Sequence, residues 1–323
     1  MRLLALILAL ITAGSALAAP LRPEDERRLH QLSQELTIPY ADLVEAIALA
    51  TYRPAVIDAI TRPWEAKPWY QYRSLFVTPA RIEAGVRFWR QHAVLLQKAQ
   101  QQFQVPAEVI VAIIGVETKY GSQMGDHPLL DALYTLGFYY PARAPFFSKE
   151  FAQYTKLAKA QGWPQAERKG SYAGAMGMGQ FMPSSYLHFA VDFDSDGHTD
   201  LFTSPADAIG SVANYFAEHK WHYGEPVAHL VHVTNPEQVV SFLTPGLAPN
   251  QSWQQLQAAG VSSRTEIAAN TPVKLLKLDQ ATGSEYWVTE QNFYVISRYN
   301  RSPLYAMAVT QLSESIAQAY HAK

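Results

Sequence analysis

A run of apolar residues with helical spacing ends at Glu117. Pro106 is suited to the first turn of a helix, where a missing backbone N–H leaves no partner unsatisfied. Four residues then follow the i, i+3, i+4, i+7 rule for one helix face: Ile110, Ile113, Ile114 and Glu117. The pattern predicts a helix that carries a carboxylate on its apolar face.

Such a position gives Glu117 the properties of a catalytic acid. Desolvation disfavours the charged form of a carboxyl group and raises its pKa, as a general acid near neutral pH requires. Two structural interpretations fit the same pattern. Glu117 is a buried residue that is only paired with another group, or the end of the helix has already turned to solvent.

Periodicity predicts further helices on both sides of the Glu117 helix. Residues 23–60 fit two or three short helices, and Pro54 and Pro63 mark helix boundaries. Thr78 is a typical N-cap residue, and a helical pattern follows it through about residue 102. The remaining helical segments share this periodicity: 129–136, 148–160 and 204–216.

The C-terminal third of the chain mixes helix and strand patterns. It contains two predicted short helices, 236–242 and 253–259, and a final helix that begins at Ser302 or Pro303. Three segments rich in β-branched and aromatic residues predict strands: 273–278, 286–288 and 293–296. The fold class is therefore mainly α (α+β), with a small β-containing piece.

Composition narrows the functional classes. The chain has 323 residues, enough for one large domain or two modest ones. Its formal net charge of −2 and the lack of a basic run argue against nucleic acid as a partner. The 18 tyrosines suit sugar binding, because a tyrosine offers a flat apolar face with a hydroxyl at its rim.

The first 18 residues resemble a secretory signal. Arg2 supplies the positive end, residues 3–11 the apolar stretch, and residues 16–18 a small-residue cleavage site. An uncleaved membrane anchor is the alternative. The chain has no cysteine, which excludes disulfides and a cysteine-linked lipid anchor. We expect cleavage near Ala18 and a soluble periplasmic protein.

Residues 170–179 form a glycine-rich segment that allows a ligand to approach the backbone closely. No Gly-Lys-Ser/Thr follows it and no apolar strand precedes it, so it fits neither a phosphate loop nor a dinucleotide fingerprint. Ser171 and Gln180 are the polar side chains best placed to bind something there. A structural turn with tight helix packing is the alternative.

Residues 192–200 fit the first nine positions of a calcium-binding loop, with Gly197 at the sharp turn. Thr203 stands where a bidentate glutamate is usual, so Asp207 is the predicted substitute. The predicted metal ligands are Asp192, Asp194, Asp196, His198 and Asp207, with His198 contributing a backbone carbonyl. The ion would be structural Ca²⁺, or alternatively Na⁺, and a solvated surface turn is the other interpretation.

Several motifs together resemble the B-type lytic murein transglycosylases, which belong to the lysozyme-like SLT superfamily. They occur in that family's order and span most of the chain: 117–121, 131–133, 170–185, 192–197 and 207–216. The absence of a lipobox cysteine distinguishes this chain from membrane-anchored members of the family.

The resemblance implies a lysozyme-like helical catalytic core with an accessory helical part and an EF-hand-like loop. The expected organisation is a signal peptide at 1–18, an N-terminal helical part at 19–103, the core at 104–230 with its loop at 192–207, and an α/β part at 231–323 that completes the cleft. It also implies cleavage of peptidoglycan between N-acetylmuramic acid and N-acetylglucosamine, which leaves 1,6-anhydro ends.

By the same resemblance, Glu117 is the single catalytic residue, first acid and then base. The implied substrate-binding residues are Ser171, Gln180, Phe181, Arg143, Phe146, Tyr72, Tyr215, Tyr299, Asn300 and Tyr305. Two positions depart from the family pattern: Ala142 replaces one of two cleft arginines, and Phe146 replaces a tyrosine. Each of these residues also fits a purely structural role.

Two rival functions stay open at this point. A muramidase would add water at the cleaved bond, and a non-catalytic peptidoglycan-binding protein would hold the wall without cleaving it. The expected partners are peptidoglycan glycan strands and other cell-wall enzymes, with no organic cofactor. A monomer is expected.

Overall fold

The computed structural model describes residues 21–62 and 67–322. The predicted signal peptide and Pro63 lie outside these residues. The described α-helices are α1 (Pro23–Leu36), α2 (Tyr40–Leu49), α3 (Pro54–Ile60), α4 (Trp69–Phe76), α5 (Pro79–Gln91), α6 (Ala93–Phe103), α7 (Ala107–Thr118), α8 (Leu129–Tyr139), α9 (Ala144–Ala160), α10 (Pro183–Phe189), α11 (Pro205–Glu218), α12 (Trp253–Ala258), α13 (Gln291–Tyr299) and α14 (Pro303–His321). Short 3-10 helices cover Pro141–Arg143 and Pro236–Phe242.

Seven strands form two antiparallel sheets within the described residues: β1 (His127–Pro128), β2 (Lys169–Gly170), β3 (Ala228–Val233), β4 (Gln251–Ser252), β5 (Val261–Ser263), β6 (Pro272–Asp279) and β7 (Ser284–Thr289). The small sheet pairs β1 with β2, and the larger one has the order β4-β6-β7-β3-β5. In the central β6–β7 hairpin, Leu275 faces Val288 across the ladder. The predicted α+β class, mainly helical with a small sheet, is confirmed.

Helix α7 is buried on all sides rather than along one stripe. Ten of its 12 residues are buried, and Glu108 and Glu117 are the two exceptions. Helices α5, α6, α11 and α14 pack around it. A helix that is apolar all round belongs in the interior of a domain. Glu117 therefore does not lie on a core-facing stripe, but where the last turn of α7 emerges from the core.

Two of the predicted helix starts are confirmed in detail. The Thr78 hydroxyl accepts a hydrogen bond from the N–H of Arg81 at 3.2 Å, and Pro79 occupies the first turn of α5. The Ser302 hydroxyl accepts one from the N–H of Tyr305 at 3.4 Å at the start of α14. These caps satisfy N–H groups that have no partner within a helix.

The predicted single helix over 78–102 is wrong. The chain leaves helical geometry at His92, where φ is −115° and ψ is 25°, and α6 begins afresh at Ala93. The His92 ring packs against Phe88 with ring centroids 4.6 Å apart. Nothing in the sequence pattern marks this break, because the apolar spacing continues across it.

The strand predicted at 293–296 is also wrong, because this segment lies within α13. Phe293 and Ile296 are completely buried against the helical core. Their spacing of three residues fits one helix face, and packing there outweighs the β preference of Val295 and Ile296. The strands predicted at 273–278 and 286–288 are confirmed within β6 and β7.

The hydrophobic core consists of two clusters. The larger one includes residues from α1 through α11 and from α13 and α14, and the smaller one lies between the sheet and α12. The strand β6 contributes to both, because successive side chains of a strand point to opposite faces. Leu275 belongs to the smaller cluster, whereas Leu278 belongs to the larger one.

The boundaries expected at residues 103 and 230 stay predictions. Packing nevertheless joins the expected parts, because the C-terminal helix α14 lies against α4 and α5 of the N-terminal part and against α7 of the core. The strand β3, Ala228–Val233, runs across the second expected boundary. Among the described residues, no helix combines the length and the apolar character needed to cross a membrane.

Asp131 holds the segment between α2 and α3 against α8. Its carboxylate accepts hydrogen bonds from the backbone N–H of Thr51 and from the Arg53 guanidinium, both at 2.8 Å. The Asp131 side chain is only 8% exposed, whereas that of Arg53 is 49% exposed. Because the Arg53 side chain is half exposed to water, this ion pair contributes less to the free energy of unfolding than a fully buried pair would.

We expect Asp131→Asn to lower the free energy of unfolding by about 1–3 kcal/mol, because two charge-assisted hydrogen bonds are weakened next to a buried group. Urea unfolding at neutral pH measures this change. The matched control is Glu83→Gln, which removes an ion pair that is about 70% exposed on both sides and is expected to change stability by under about 0.5 kcal/mol. Equal effects of the two substitutions would contradict this role of Asp131.

Candidate active site

Glu117 lies in the last turn of α7, with its carboxylate against α14. Its Oε1 accepts a hydrogen bond from the Tyr305 hydroxyl at 2.6 Å. Burial raises the pKa of Glu117 to about 7, and the Tyr305 hydrogen bond opposes this rise because it favours the charged form. Glu117 is therefore able to give up and regain a proton near neutral pH. The side chain is half-buried and faces a cleft.

The turn after Glu117 has an unusual backbone. Lys119, Tyr120 and Gly121 all have positive φ, at 48°, 60° and 85°. The Thr118 hydroxyl accepts a hydrogen bond from the Gly121 N–H at 2.9 Å and donates one to the Met178 carbonyl at 2.8 Å. The residue next to Glu117 thus connects α7 to the glycine-rich segment.

Tyr120 holds this turn against α5 and α7. Its hydroxyl donates to the Arg81 carbonyl at 2.8 Å, and its ring lies where side chains of Gly85 and Gly115 would be. A Cβ added at either glycine would come within 2.7 Å of Tyr120. The two glycines are therefore required for the ring to pack this closely, and the ring fixes the end of α7.

Hydrogen bonds shape the glycine-rich segment itself. The Ser171 hydroxyl accepts the Ala175 N–H at 3.0 Å, and the Gln180 amide donates to the carbonyls of Met124 and Gly177 at 3.1 and 3.0 Å. Both side chains therefore have structural partners in this structure. Their predicted contacts with a ligand stay predictions.

Three aromatic residues predicted for the cleft form one cluster. The rings of Phe181, Tyr215 and Tyr299 lie 4.7–5.9 Å apart, measured between centroids. The Tyr299 hydroxyl donates to the Gly179 carbonyl at 2.5 Å, and the Tyr215 hydroxyl donates to the Arg298 carbonyl at 2.7 Å. Burial raises the pKa of Tyr299, and the Glu117 carboxylate adds to this rise, so Tyr299 is a neutral phenol.

A cleft of about 460 Å³ opens beside Glu117. Its lining combines an apolar wall with polar and cationic groups: Tyr72, Leu75, Phe76, Arg81, Val116, Glu117, Lys119 and Gln123. Tyr72 was predicted as a cleft residue, and its ring lies 5.0 Å from that of Phe76. Six lining residues were not predicted from the sequence as cleft residues: Leu75, Phe76, Arg81, Val116, Lys119 and Gln123. For Gln123, closeness in sequence to Glu117 was an available signal.

Three predicted substrate-binding residues make contacts elsewhere in the described structure. Arg143 and Phe146 are exposed, and the Arg143 guanidinium lies 4.6 Å from the centroid of the Phe146 ring and 4.9 Å from that of Phe147. The Asn300 side chain accepts the Ser302 N–H at 3.1 Å in the turn before α14. Sugar contacts by these residues stay predictions.

The two other candidate carboxylates have structural partners. Asp131 binds Thr51 and Arg53, as described above. Glu150 accepts hydrogen bonds from the N–H and the hydroxyl of Ser184, at 2.9 and 2.6 Å, at the start of α10. In the described structure Glu117 is therefore the acid that faces the cleft.

The acidic loop brings three carboxylates together. Ligand oxygens of Asp192, Asp194 and Asp196 lie within 4.8 Å of one another. Backbone N–H groups of Ser195, Asp196 and Gly197 donate to the Asp192 carboxylate. Desolvation raises the pKa of Asp192, but these hydrogen bonds outweigh it and the pKa is lowered overall. Gly197 has a φ of +89°, as the sharp turn requires. Clustered hard oxygen donors fit a calcium-type ion.

Asp207, the predicted substitute for the usual glutamate ligand, has structural partners in the loop, and its role as a metal ligand stays a prediction. Its carboxylate is buried and accepts hydrogen bonds from the N–H groups of Phe193 and Asp200, at 2.8 and 2.7 Å. These two hydrogen bonds make Asp207 a brace across the loop. The His198 N–H donates to Asp196 at 2.8 Å, and the predicted ligand role of the His198 backbone carbonyl stays a prediction.

Comparisons with known proteins agree with this geometry. A family model described as Transglycosylase SLT domain matches residues 23–314. Membrane-bound lytic murein transglycosylase B of Escherichia coli K12 is 47% identical over 251 residues, which are 78% of this chain and 68% of that protein. The catenated lytic transglycosylase SltB1 from Pseudomonas aeruginosa superposes with a TM-score of 0.86 at 43% identity and covers 93% of this chain and 98% of that one.

A structure of the Escherichia coli lytic transglycosylase Slt35 in complex with calcium superposes with a TM-score of 0.82 at 41% identity. It covers 92% of this chain and 94% of that one. The family model's match, residues 23–314, includes the segments that build the cleft and the acidic loop. This chain therefore belongs to the Transglycosylase SLT family and, within it, to the B-type lytic murein transglycosylases.

Proposed function

We propose that this protein cleaves the glycan strands of peptidoglycan as a lytic transglycosylase and leaves a 1,6-anhydro ring on N-acetylmuramic acid. The observation that carries the proposal is a single carboxyl group, Glu117, with a pKa of about 7 at the edge of a sugar-sized cleft. Family membership supports the same activity and favours it over hydrolysis or binding alone.

In the proposed reaction, Glu117 gives one proton to the substrate and later takes one proton from it. Protonated Glu117 donates to the glycosidic oxygen as the bond from that oxygen to C1 of N-acetylmuramic acid breaks. Positive charge develops on C1 and the ring oxygen. The ionised Glu117 then accepts the proton of the C6 hydroxyl while the C6 oxygen of the sugar bonds to C1. No water enters, and the carboxyl group ends as it began.

Tyr305 supports the second half of this cycle. Burial raises the pKa of Tyr305 well above its usual value, so it remains a neutral donor at every relevant pH. A hydrogen bond of 2.6 Å to the carboxylate stabilises the ionised form of Glu117 between the two proton transfers. Burial and this hydrogen bond act in opposite directions, and their balance leaves the pKa of Glu117 near neutrality.

A single carboxylate favours attack by the substrate over attack by water. Hydrolases that cleave such bonds use a second carboxylate as nucleophile or base. The two nearest candidates in the sequence, Asp131 and Glu150, accept hydrogen bonds from Arg53 and Ser184. A nucleophile carried by the sugar needs only one protein group that changes roles.

The acidic loop is proposed to bind a structural calcium ion through Asp192, Asp194 and Asp196. The bound ion would neutralise three clustered charges and so rigidify the loop. The loop is joined to the active site, because the Met178 N–H donates to the Leu201 carbonyl at 2.8 Å and the Met178 carbonyl accepts from Thr118. The proton transfers themselves involve only Glu117 and the sugar.

Peptidoglycan lies outside the cytoplasmic membrane, so we place the proposed activity in the periplasm. The predicted signal sequence at residues 1–18 agrees with this location. Glycan strands are the proposed partner, and the cleft offers Tyr72 and Phe76 as faces for sugar rings.

We expect Glu117→Gln to retain the fold and to reduce turnover on purified peptidoglycan by roughly 100- to 10,000-fold, because the amide cannot donate the required proton. Mass spectrometry of the wild-type products checks the reaction class, since anhydro ends are one water lighter than reducing ends. The matched control is Glu108→Gln on the same helix, which should keep normal turnover.

Two results would contradict these assignments. A Glu117→Gln variant with half of the wild-type turnover would remove Glu117 from the mechanism. Reducing ends in place of anhydro ends would make the protein a muramidase, and binding without release of soluble fragments would make it a wall-binding protein.

We expect turnover to fall as the pH rises through about 7, because the first step needs protonated Glu117. Tyr305→Phe removes the hydrogen bond that lowers this pKa, so the falling limb of the pH–kcat profile should move to higher pH. Tyr154→Phe is the control, because its hydroxyl contacts the Gln165 carbonyl instead. A shift to lower pH in Tyr305→Phe would refute the assigned role.

We compare the melting temperature of the protein in calcium at about 100 times its Kd with that of the same protein after addition of EDTA. We expect EDTA to lower it by roughly 5 °C or more. Turnover measured well below the transition should change much less. Asp194→Asn should lose the calcium response, whereas Asp126→Asn, on a side chain that is 94% exposed, should keep it. An unchanged melting temperature in EDTA would reject the calcium site.

A further inference from the structure

The lining of the cleft beside Glu117 combines two kinds of group. Tyr72, Leu75, Phe76 and Val116 are apolar, whereas Arg81 and Lys119 add two cations. The Arg81 guanidinium lies 5.3 Å from the centroid of the Phe76 ring. A neutral sugar has no group that matches a pair of cations. This contrast raises the question of which part of the substrate the cations bind.

Arg81 and Lys119 meet at a single backbone atom. The Arg81 Nη1 donates to the Gly115 carbonyl at 2.7 Å, and the Lys119 N–H donates to the same oxygen at 3.2 Å. Both residues line the cleft, so both cations belong to the same cavity. We refer to Arg81 and Lys119 around the Gly115 carbonyl as the cationic corner.

The cationic corner has no acidic partner among residues 21–62 and 67–322. The Lys119 side chain is exposed and takes part in none of the ion pairs formed there. Arg81 donates only to the carbonyls of Gly115 and Leu75, which leaves three of its five N–H groups available.

Glu117 is the only acidic side chain in the described lining of the cleft. It does not neutralise the corner during the first step, because the proposed mechanism requires it to be protonated then. The hydrogen bond that Glu117 accepts, moreover, comes from Tyr305 and not from the corner. An anionic group of the substrate is the missing counter-charge.

We propose that the cationic corner is a subsite for a carboxylate carried on the lactyl branch of N-acetylmuramic acid. This inference rests on the proposed function and identifies which feature of the glycan the cleft recognises. The carboxylate has two possible sources, the free lactyl acid of a peptide-free strand or the stem peptide attached to it. A sugar ring packed on Tyr72 and Phe76 would bring such a branch into the same cavity as the corner.

Lys119 is the residue to change, because Arg81 also holds the Gly115 carbonyl in place. Lys119→Gln removes the charge and keeps a long polar side chain. The left-handed backbone at Lys119 tolerates this substitution, since Gln104 and Gln180 adopt the same conformation in this protein. Lys119→Arg restores the charge, and Lys156→Gln on the exposed surface of α9 is the matched control.

Steady-state kinetics on three glycan preparations test the subsite: strands with stem peptides, strands stripped of peptides, and stripped strands whose lactyl carboxyl is converted to a methylamide. We expect Lys119→Gln to raise KM by about two- to fivefold on strands that carry the recognised carboxylate, with kcat unchanged. The wild-type KM should rise with added salt, and that of Lys119→Gln should rise less. Lys119→Arg should return both parameters to wild-type values.

The three substrates separate the sources of the carboxylate. An increase confined to strands with peptides assigns it to the stem peptide, because the lactyl carboxyl is an amide there. An increase confined to stripped strands assigns it to the free lactyl acid, and an increase on both shows that the corner accepts either carboxylate. An equal increase on the methylamide strands, or an unchanged KM on all three, overturns the subsite. Wild-type protein that releases no anhydro products would instead overturn the proposed function.

Discussion

The contact between Tyr305 and Glu117 is the constraint on which the rest of the site depends. It joins two residues 188 positions apart through a hydrogen bond of 2.6 Å. Such a contact requires α14 to lie along α7, and α7 is buried on nearly every side to make this packing possible. The same burial raises the pKa of Glu117, so that packing and proton chemistry have one physical origin.

The position of Glu117 also depends on the turn that follows it. Three successive residues with positive φ begin at Lys119, and Tyr120 holds them in the space that Gly85 and Gly115 leave open. Thr118 connects this turn to Met178, and Met178 connects it to Leu201 beside the acidic loop. Hydrogen bonds through Met178 therefore link Leu201, which directly follows the acidic loop, to the end of α7.

Several features could be predicted from the sequence because they depend on local physics. The caps at Thr78 and Ser302 need only a hydroxyl before a helix. The cluster of Asp192, Asp194 and Asp196 follows from alternate residues in one tight loop. The sequence pattern misleads where distant contacts decide. The segment at 293–296, predicted as a strand, is helical because Phe293 and Ile296 are buried against the helical core.

By itself, the sequence determined that an acidic residue ends an apolar helix, that a glycine-rich segment and an acidic loop follow, and that these motifs occur in a family's order. Only the tertiary structure decided that Glu117 faces a cleft, that Tyr305 is its partner, and that Arg81 and Lys119 share one corner. The physical reason is that pKa and recognition depend on which groups surround an atom in space. Residues distant along the chain supply most of those groups.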